Sequence, residues 1–321
     1  MIRFKATTIG VFVSWLLLQT AVGQSLEAGQ QFFAQRKFAE ARKQLAGIKE
    51  GHRDFAASQY YLGRIAFEEK DYEKSLDYFE AAVETNDKVA DYQEWLGNAM
   101  GNVARDANMI RQGLLAPKMK AAWEKSIALD PTRVGPRQSL IEYYLEAPSM
   151  MGGSEEKAEA TARDIMALNP AEGHRALGNV FNRTKRLEEA EKEYREAVRL
   201  DEKLTPVLAN FYVAHQQFDK AFLLHAKDIE KNADNMLAHY QYGRTAAISG
   251  RNLDIGEKSL KKYLTYTPKE NEPSHAGAYM RLAQISEKRG NQEEAKKLYE
   301  QALSKDPTLK EAKEGLQRVK G

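Results

Sequence analysis

The segment "YYLGRIAFEEKDYEKSLDYFEAAVE", Tyr60 to Glu84, sets out a spacing that returns twice more along the chain. Counting from Gly63, a small residue follows after 12 positions, an aromatic residue after 16 and an alanine after 19. In this segment the three are Ser75, Phe79 and Ala82. Apolar and small residues recur here at helical intervals, so the segment predicts two consecutive amphipathic helices.

Two later segments keep the spacing. "HRALGNVFNRTKRLEEAEKEYREAVRL", His174 to Leu200, has Gly178 in place of Gly63, and "MRLAQISEKRGNQEEAKKLYEQALSKDP", Met280 to Pro307, has Ala283. We expect the small residues to let two antiparallel helices approach closely, and the aromatic residue to fill the space towards the next unit. The pattern resembles the tetratricopeptide repeat, a helix–turn–helix unit of about 34 residues.

The resemblance covers nearly all of the chain after its first two dozen residues. It implies an all-α fold, a right-handed superhelical solenoid of about eight tetratricopeptide helix–turn–helix repeats over residues 24–321, with a C-terminal capping helix. The expected repeats span approximately 26–50, 56–86, 90–131, 134–170, 172–202, 204–233, 236–268 and 276–307. The capping helix is expected at 308–320, where Leu309, Ala312, Leu316 and Val319 form one apolar stripe.

Three Pro-containing pairs predict helix starts. Asp130-Pro131, Asn169-Pro170 and Asp306-Pro307 each suit a helix N-cap followed by proline at the first helical position.

The N-terminus differs from the repeats. A basic start at Arg3 and Lys5 precedes an apolar run, Thr8 to Leu18, and the small residues of Ala21-Val22-Gly23. This order predicts a signal peptide at residues 1–23, cleaved before Gln24. The alternative is an uncleaved anchor, but the run is shorter than the roughly 20 residues that a spanning helix needs. We therefore expect a periplasmic or secreted protein with no stable membrane insertion after cleavage.

Charge and cysteine content exclude several classes of protein and of binding site. The chain has 48 basic and 46 acidic residues, and removal of Arg3 and Lys5 makes the two numbers equal. A net charge of zero argues against nucleic-acid binding, which depends on clustered Lys and Arg. With no cysteine, the chain has no disulfide, no thiolate metal site and no site for N-terminal lipid attachment.

No enzymatic motif is found. The sequence lacks a phosphate-binding glycine loop, an HExxH pair and a nucleophile elbow, and its six histidines are scattered. We therefore expect no catalytic residues, no cofactor and no metal. His225 falls at the aromatic position of the sixth repeat, which favours a core role.

Two consecutive repeats are too long between their helices. Asn102 to Met119 carries an insertion of about ten residues in the third, and "APSMMGGS" adds about five in the fourth. Equivalent loops of neighbouring repeats emerge on one edge of a solenoid, so the two insertions should be neighbours in space. Pro148 should end the preceding helix, and Ser154 should cap the next.

Three interpretations of Met150 and Met151 remain open. They seal an irregular edge, since methionine fills odd gaps. They form a rim that binds a partner. Or, since six of the nine methionines fall between Met100 and Met166, thioethers bind a soft metal.

A polar position recurs just after the small residue of each first helix. In such repeats the first helices line the concave surface, so these side chains and their neighbours one turn away are candidates for holding a partner's backbone or carboxylate. The alternative is that they are polar because they are solvated. The candidates, besides Gln30, are Arg64, Asn98, Asn102, Glu142, Arg175, Asn179, Asn182, Arg183, Asn210, Arg244 and Gln284. Some family members grip a C-terminal carboxylate with a Lys/Asn/Arg clamp, which Arg175, Asn179 and Arg183 resemble in character only.

The sequence therefore predicts an exported scaffold that binds a protein or peptide in its concave groove. Envelope assembly, secretion and polysaccharide machinery are settings that the family suggests. The rival hypothesis is a small-ligand receptor or enzyme with its site under the two insertions. A homo-oligomer whose groove holds its own termini is a third possibility.

Overall fold

A computed structural model describes residues 25–320, and every regular element in that range is helical. The predicted signal peptide at 1–23 lies outside the described residues. The chain divides into two compact units, of which the first ends at Ala158 and the second begins at Glu159. This helical architecture confirms the predicted fold class.

The first unit is a series of antiparallel helix pairs joined by short turns. Its helices are α1 (Leu26–Ala34), α2 (Phe38–Leu45), α3 (Phe55–Glu68), α4 (Tyr72–Thr85), α5 (Ala90–Asp106), α6 (Met109–Leu129), α7 (Gly135–Glu146) and the first residues of α8 (Glu155–Leu168). A single turn of 3₁₀ helix, Ser149–Met151, lies between α7 and α8.

The second unit continues from within α8 with the same kind of pairs. Its further helices are α9 (Pro170–Arg183), α10 (Leu187–Leu200), α11 (Thr205–Ala214), α12 (Phe218–Lys231), α13 (Met236–Ser249), α14 (Leu253–Tyr263), α15 (His275–Lys288), α16 (Gln292–Lys305) and α17 (Lys310–Arg318). A 3₁₀ turn, Glu202–Leu204, precedes α11.

A glycine of the first helix packs against a bulky side chain of the second helix in the same pair. A Cβ atom on Gly63 would lie 2.8 Å from the Phe79 ring, and one on Gly178 would lie 2.6 Å from the Tyr194 ring. Both aromatic residues are almost fully buried. The Ser75 hydroxyl also donates to the Gly63 carbonyl at 2.9 Å, so the small residue of the second helix completes the contact.

The sequence predicted that the aromatic residue fills the space between successive repeats, but this is only one of its two contacts. Its ring covers the glycine of its own pair and its far side meets the next pair, as Tyr194 meets Phe211 at 5.2 Å between ring centroids. The reason is size, because a ring wide enough to cover a glycine also extends past the helix that carries it.

Only one of the three predicted Pro-based helix starts is correct. The Asn169 side chain accepts from the Glu172 backbone N–H, and Pro170 begins α9. Asp130 and Asp306 instead end α6 and α16. Each carboxylate accepts from the backbone and hydroxyl of a threonine two residues later, and this local turn delays the next helix.

The first insertion is helical rather than a loop. Residues 102–119 lengthen both helices of the third pair, so that α5 has 17 residues and α6 has 21 where most other helices have 14. Pro117 lies inside α6. The insertion therefore forms the extended end of the helix hairpin made by α5 and α6.

The C-terminal helix α17 closes the second unit. Ala312 is fully buried, and Leu309, Leu316 and Val319 pack on the core formed by α15 and α16. Helix α17 thus covers the apolar face of the α15–α16 pair.

His225 occupies the aromatic position of the sixth repeat and is buried, as the sequence indicated. Burial, together with the positive charge of Arg244, lowers its pKa to about 4. Its ring nitrogen lies 3.3 Å from the Thr245 hydroxyl. The native state therefore holds a neutral imidazole.

We expect the stability of the protein to fall as the pH drops from about 6.5 to about 4, because the unfolded chain takes up a proton at His225 there and the folded chain does not. The loss attributable to this group is about 3 kcal/mol at most. Denaturant unfolding across this pH range should show a shallower decline in His225→Phe. An unchanged pH profile in that variant would show that other groups control acid stability.

The glycine contact predicts opposite effects for two alanine substitutions in the first unit. Gly63→Ala should lower the free energy of unfolding by about 1–3 kcal/mol, because its Cβ meets the buried Phe79 ring. Gly113→Ala should raise it by about 0.5–1 kcal/mol, because nothing lies within 4 Å of that Cβ and alanine favours a helix. If urea titrations give the two variants the same free energy of unfolding, the packing of Phe79 on Gly63 does not control how closely the two helices approach.

Candidate functional site

A cleft of about 820 Å³ lies in the first unit, where the two insertions meet. Helices α5 and α6 line it with Asn98, Asn102, Met119 and Trp123 among others, and α7 contributes Glu142. Ala147, Pro148, Met150 and Met151 also line it, as do Met109 and Gln112 of the first insertion. The predicted proximity of the two insertions is therefore confirmed. We call this site the methionine cleft.

Four methionines face the methionine cleft. Met109 and Met150 are 85% and 93% exposed, whereas Met119 is buried and Met151 is half-buried. Met150 therefore does not seal the edge, whereas the half-buried Met151 is consistent with that interpretation. The exposed methionines place flexible, polarisable side chains at an open cleft, which suits adaptable apolar contacts.

The loop between α7 and α8 has a defined conformation. Tyr143 donates its hydroxyl hydrogen to the Met151 carbonyl at 2.5 Å, and burial raises the pKa of this tyrosine, so the hydroxyl remains a donor. Gly152 has a φ of +96°, and a Cβ on Gly153 would lie 1.8 Å from the Ala147 carbonyl oxygen. Both positions thus require glycine, and the loop holds the methionines at the rim.

The predicted ends of this loop are correct. Helix α7 ends at Glu146, just before Ala147 and Pro148. The Ser154 hydroxyl accepts from the Lys157 backbone N–H at 3.2 Å and caps α8.

Asn98, in the lining of the methionine cleft, connects three helices. Its side-chain oxygen accepts from the Trp123 indole N–H at 3.0 Å and from the Ser139 hydroxyl at 3.2 Å. The Asn102 amide donates to the Asn98 backbone carbonyl at 2.9 Å. The Trp123 indole lies on Gly97, where a Cβ would approach it to 2.5 Å. Asn98 therefore holds α5, α6 and α7 in register.

Arg64 is engaged by aromatic side chains rather than by a carboxylate. Its guanidinium carbon lies 3.7 Å from the centroid of Trp95 and 5.4 Å from that of Phe33. It also donates to the Tyr60 hydroxyl at 2.8 Å. This packing ties α1, α3 and α5 together by cation–π contacts.

In the second unit most of the predicted groove residues contact their neighbours. Asn179 accepts from the Tyr194 hydroxyl at 2.7 Å, and Asn182 lies 2.7 Å from a His215 ring nitrogen. Arg175 pairs with Glu172 at 2.7 Å, and Arg183 is exposed on the last turn of α9. A grip on a terminal carboxylate by this group would first have to release Arg175 from Glu172.

Farther along the same face, Arg244 donates to Asn210 at 3.2 Å, and Gln284 accepts from Arg281 at 2.9 Å. The methionine cleft gathers only three of the candidate groove residues, namely Asn98, Asn102 and Glu142. A role of the candidates in partner binding stays a prediction.

Sequence reasoning missed several residues of these sites. Trp123, Ser139 and Gln112 line the methionine cleft, but they come from the second helix, the next repeat and the insertion. Arg281 was overlooked because it precedes the small residue Ala283 instead of following it. The sequence carried no repeated signal for it, since the same place before Gly63 and Gly97 is occupied by Tyr61 and Trp95.

Residues 25–320 contain no group of three or more His, Asp or Glu side chains placed to hold a metal ion. Over the same range, no helix combines the length and apolarity needed to cross a bilayer.

Asn98→Ala should lower the free energy of unfolding by about 1–3 kcal/mol, because the buried Trp123 N–H loses its acceptor. Asn102→Ala is the matched control, since its amide bonds only within its own helix, and it should change stability by less than about 0.5 kcal/mol. Chemical denaturation of the purified variants measures both values. If Asn98→Ala is as stable as the control, Asn98 does not position the helices.

The family comparison matches tetratricopeptide-repeat models at residues 26–99 and 156–204, and a second such model at 276–309. No curated protein matches the sequence significantly.

Solved structures with a related fold come from several bacteria. A tetratricopeptide repeat protein from Parabacteroides merdae is 14% identical, with a TM-score of 0.51, over 83% of this chain and 99% of its own. A thermophilic TPR protein from Thermus thermophilus is 20% identical, with a TM-score of 0.44, over 59% and 98%. The C-terminal part of a TPR repeat-containing protein from Cytophaga hutchinsonii is 13% identical, with a TM-score of 0.47, over 91% and 99%. At 14% identity, the likeness to the Parabacteroides merdae protein concerns the fold alone.

Proposed function

We propose that this chain, which carries tetratricopeptide repeats, is an exported scaffold that holds a segment of a partner protein in the methionine cleft. The observation that carries the proposal is the cleft itself, where two insertions absent from the other repeats meet the polar inner face. Proteins with such repeats generally serve as interaction scaffolds, and an enlarged edge gives this one a surface of its own.

The chemistry of the cleft suits a polypeptide segment. Its apolar lining comes from methionine, tryptophan and tyrosine, and Gln112, Asn102 and Glu142 add polar groups around it. Ile110 and Leu114, beside Met109 on α6, are 79% and 64% exposed. Large apolar side chains that remain exposed in one region mark a surface for binding another molecule.

Export is part of the proposal and rests on the signal peptide that the sequence predicts at 1–23. An exported scaffold with equal numbers of basic and acidic residues after cleavage would work in the periplasm or outside the cell. Envelope assembly, secretion and polysaccharide machinery are the settings that we propose by analogy with the family.

A second candidate function is favoured by the size of the cleft. About 820 Å³ lies within the range of roughly 300–1,000 Å³ that is usual for small-molecule sites. A small apolar ligand could occupy it, as the rival hypothesis of a receptor or enzyme expects. Glu142 and Glu146 line the cleft and no histidine does, so an acid–base reaction there would depend on those carboxylates.

The test is photo-crosslinking in the native host from a probe at Met150, with a matched probe at Leu223. Leu223 is also an apolar residue and is 71% exposed, but it lies on α12 in the other unit. We expect one dominant protein captured at Met150 and not at Leu223. Capture at both positions alike, or at neither, would count against the scaffold, and a co-purified small molecule displaced by Met109→Asp would favour the receptor.

The captured protein should then bind the purified chain in a cleft-dependent way. Met109→Asp and Met150→Asp should each raise the Kd at least about tenfold, a loss of about 1.4 kcal/mol, because they place a charge against apolar partner groups. Leu223→Asp should leave the Kd unchanged. All three positions are exposed, so thermal unfolding should be nearly the same in each variant.

A further inference from the structure

The methionines of residues 25–320 differ widely in exposure. Met109 and Met150 are 85% and 93% exposed. Both of these exposed side chains line the methionine cleft. The other methionines in the range are buried or half-buried, namely Met100, Met119, Met151, Met166, Met236 and Met280. The most accessible methionines of the described chain therefore lie at one site.

Thioether oxidation is the sulfur chemistry open to this chain. The sequence has no cysteine, so no thiol of its own competes for an oxidant. Hydrogen peroxide converts a methionine thioether to a sulfoxide, in which the sulfur gives up two electrons and gains an S–O bond. The O–O bond of the peroxide breaks, and its second oxygen leaves as water. A flexible apolar side chain thereby becomes polar and chiral.

The backbone at Met150 is held by contacts that do not involve its thioether. The Tyr143 hydroxyl donates to the Met151 carbonyl at 2.5 Å, and the Met151 N–H donates to the Pro148 carbonyl at 2.8 Å. Gly152 completes the turn with a φ of +96°. Oxidation of the exposed Met150 side chain should therefore leave the turn in place.

Met109 begins α6, and this helix end is also held without its thioether. The Asn108 side chain accepts from the Arg111 backbone N–H at 2.9 Å. The Arg111 guanidinium bonds Glu73 of α4 through two nitrogens, both at 2.6 Å. Oxidation at Met109 should therefore change the surface of the methionine cleft and leave the position of the helix unchanged.

We propose that Met109 and Met150 form an oxidation site, at which a peroxide lowers the affinity of the methionine cleft for its partner. This inference rests on the proposed function, because it concerns the regulation of the same cleft. Each sulfoxide oxygen is hydrated in the free protein and loses that water against apolar partner groups, which is unfavourable without a new donor. The exposed Ile110 and Leu114 are unchanged, so the affinity falls but is not abolished.

The modification is reversible by a thiol-dependent reductase. Such an enzyme returns the sulfoxide to the thioether, while a dithiol becomes a disulfide and the oxygen leaves as water. One reductase is needed for each sulfoxide epimer. Because the chain has neither a cysteine nor a disulfide, the thiol reductant has no other target in it.

The first measurement follows oxidation of the full chain by dilute hydrogen peroxide, with peptide mass spectrometry as the readout. We expect Met109 and Met150 to react at least about tenfold faster than the buried Met100, Met119 and Met280, because the oxidant reaches only exposed thioethers in the folded chain. Equal rates at all five positions would overturn the site. This measurement needs no partner, so its outcome is separate from that of the scaffold proposal.

The second measurement compares the affinity for Nile red, a neutral apolar dye, before oxidation and after oxidation with removal of the peroxide. The Kd from fluorescence titration should rise at least about fivefold, and the two reductases with dithiothreitol should restore it. Thermal unfolding of the oxidised chain should be nearly unchanged. Met109→Asp should weaken dye binding and Leu223→Asp should not, which places the dye in the cleft.

A double leucine variant separates the two thioethers from every other oxidisable group. Met109→Leu with Met150→Leu keeps the cleft apolar, so it should bind Nile red and keep its affinity after peroxide treatment. Met166→Leu with Met236→Leu is the matched control, because these half-buried methionines lie outside the cleft lining. It should remain as sensitive to peroxide as the unmodified sequence.

Three results with the dye would overturn the inference. They are an unchanged Kd after oxidation of both methionines, the same loss in the double leucine variant of the cleft, and no dye binding before oxidation. None of them decides the scaffold proposal, which depends on capture of a protein at Met150. The Kd of that captured protein should rise on oxidation as the dye's does. A Kd that oxidation leaves unchanged would overturn the oxidation site and leave the scaffold standing.

Discussion

The architecture depends on one contact, that of a glycine in the first helix of a pair with a bulky side chain in the second. Without a Cβ at Gly63 or Gly178, a ring can lie directly on the helix backbone, and the two helices approach until the ring fills the gap. The contact is local, so each pair that has the glycine forms it separately, and the far side of a ring such as Tyr194 then offers a surface to the next pair. Interiors this tightly packed tolerate little added volume.

The third pair keeps this contact while its helices lengthen. Gly97 still lies under the Trp123 indole, and the extra residues extend α5 and α6 beyond the packed region. An insertion at the ends of two helices leaves the packing of Trp123 on Gly97 undisturbed. The extended hairpin and the loop after α7 then become two sides of the methionine cleft.

Several polar side chains at the predicted groove positions of the two units bond within the fold. Asn98 accepts from the Trp123 indole and Asn179 from the Tyr194 hydroxyl, while Asn182 lies against a His215 ring nitrogen. The hydrogen-bonding capacity of these side chains is therefore partly used within the fold. Arg244 likewise donates to Asn210, and Arg281 donates to Gln284 and pairs with Glu311. Polarity at a groove position therefore does not by itself identify a binding residue.

The sequence alone determined the repeat, its helical pairs, the buried place of His225 and the neighbouring position of the two insertions. These follow from spacing, because small and aromatic residues at fixed intervals can satisfy only one local packing arrangement. Tertiary structure decided that residues 102–119 extend helices, that Asp130 and Asp306 end helices instead of starting them, and that Arg281 pairs with Glu311 of α17. Those outcomes depend on which atoms meet across different helices, and a one-dimensional pattern does not contain those distances.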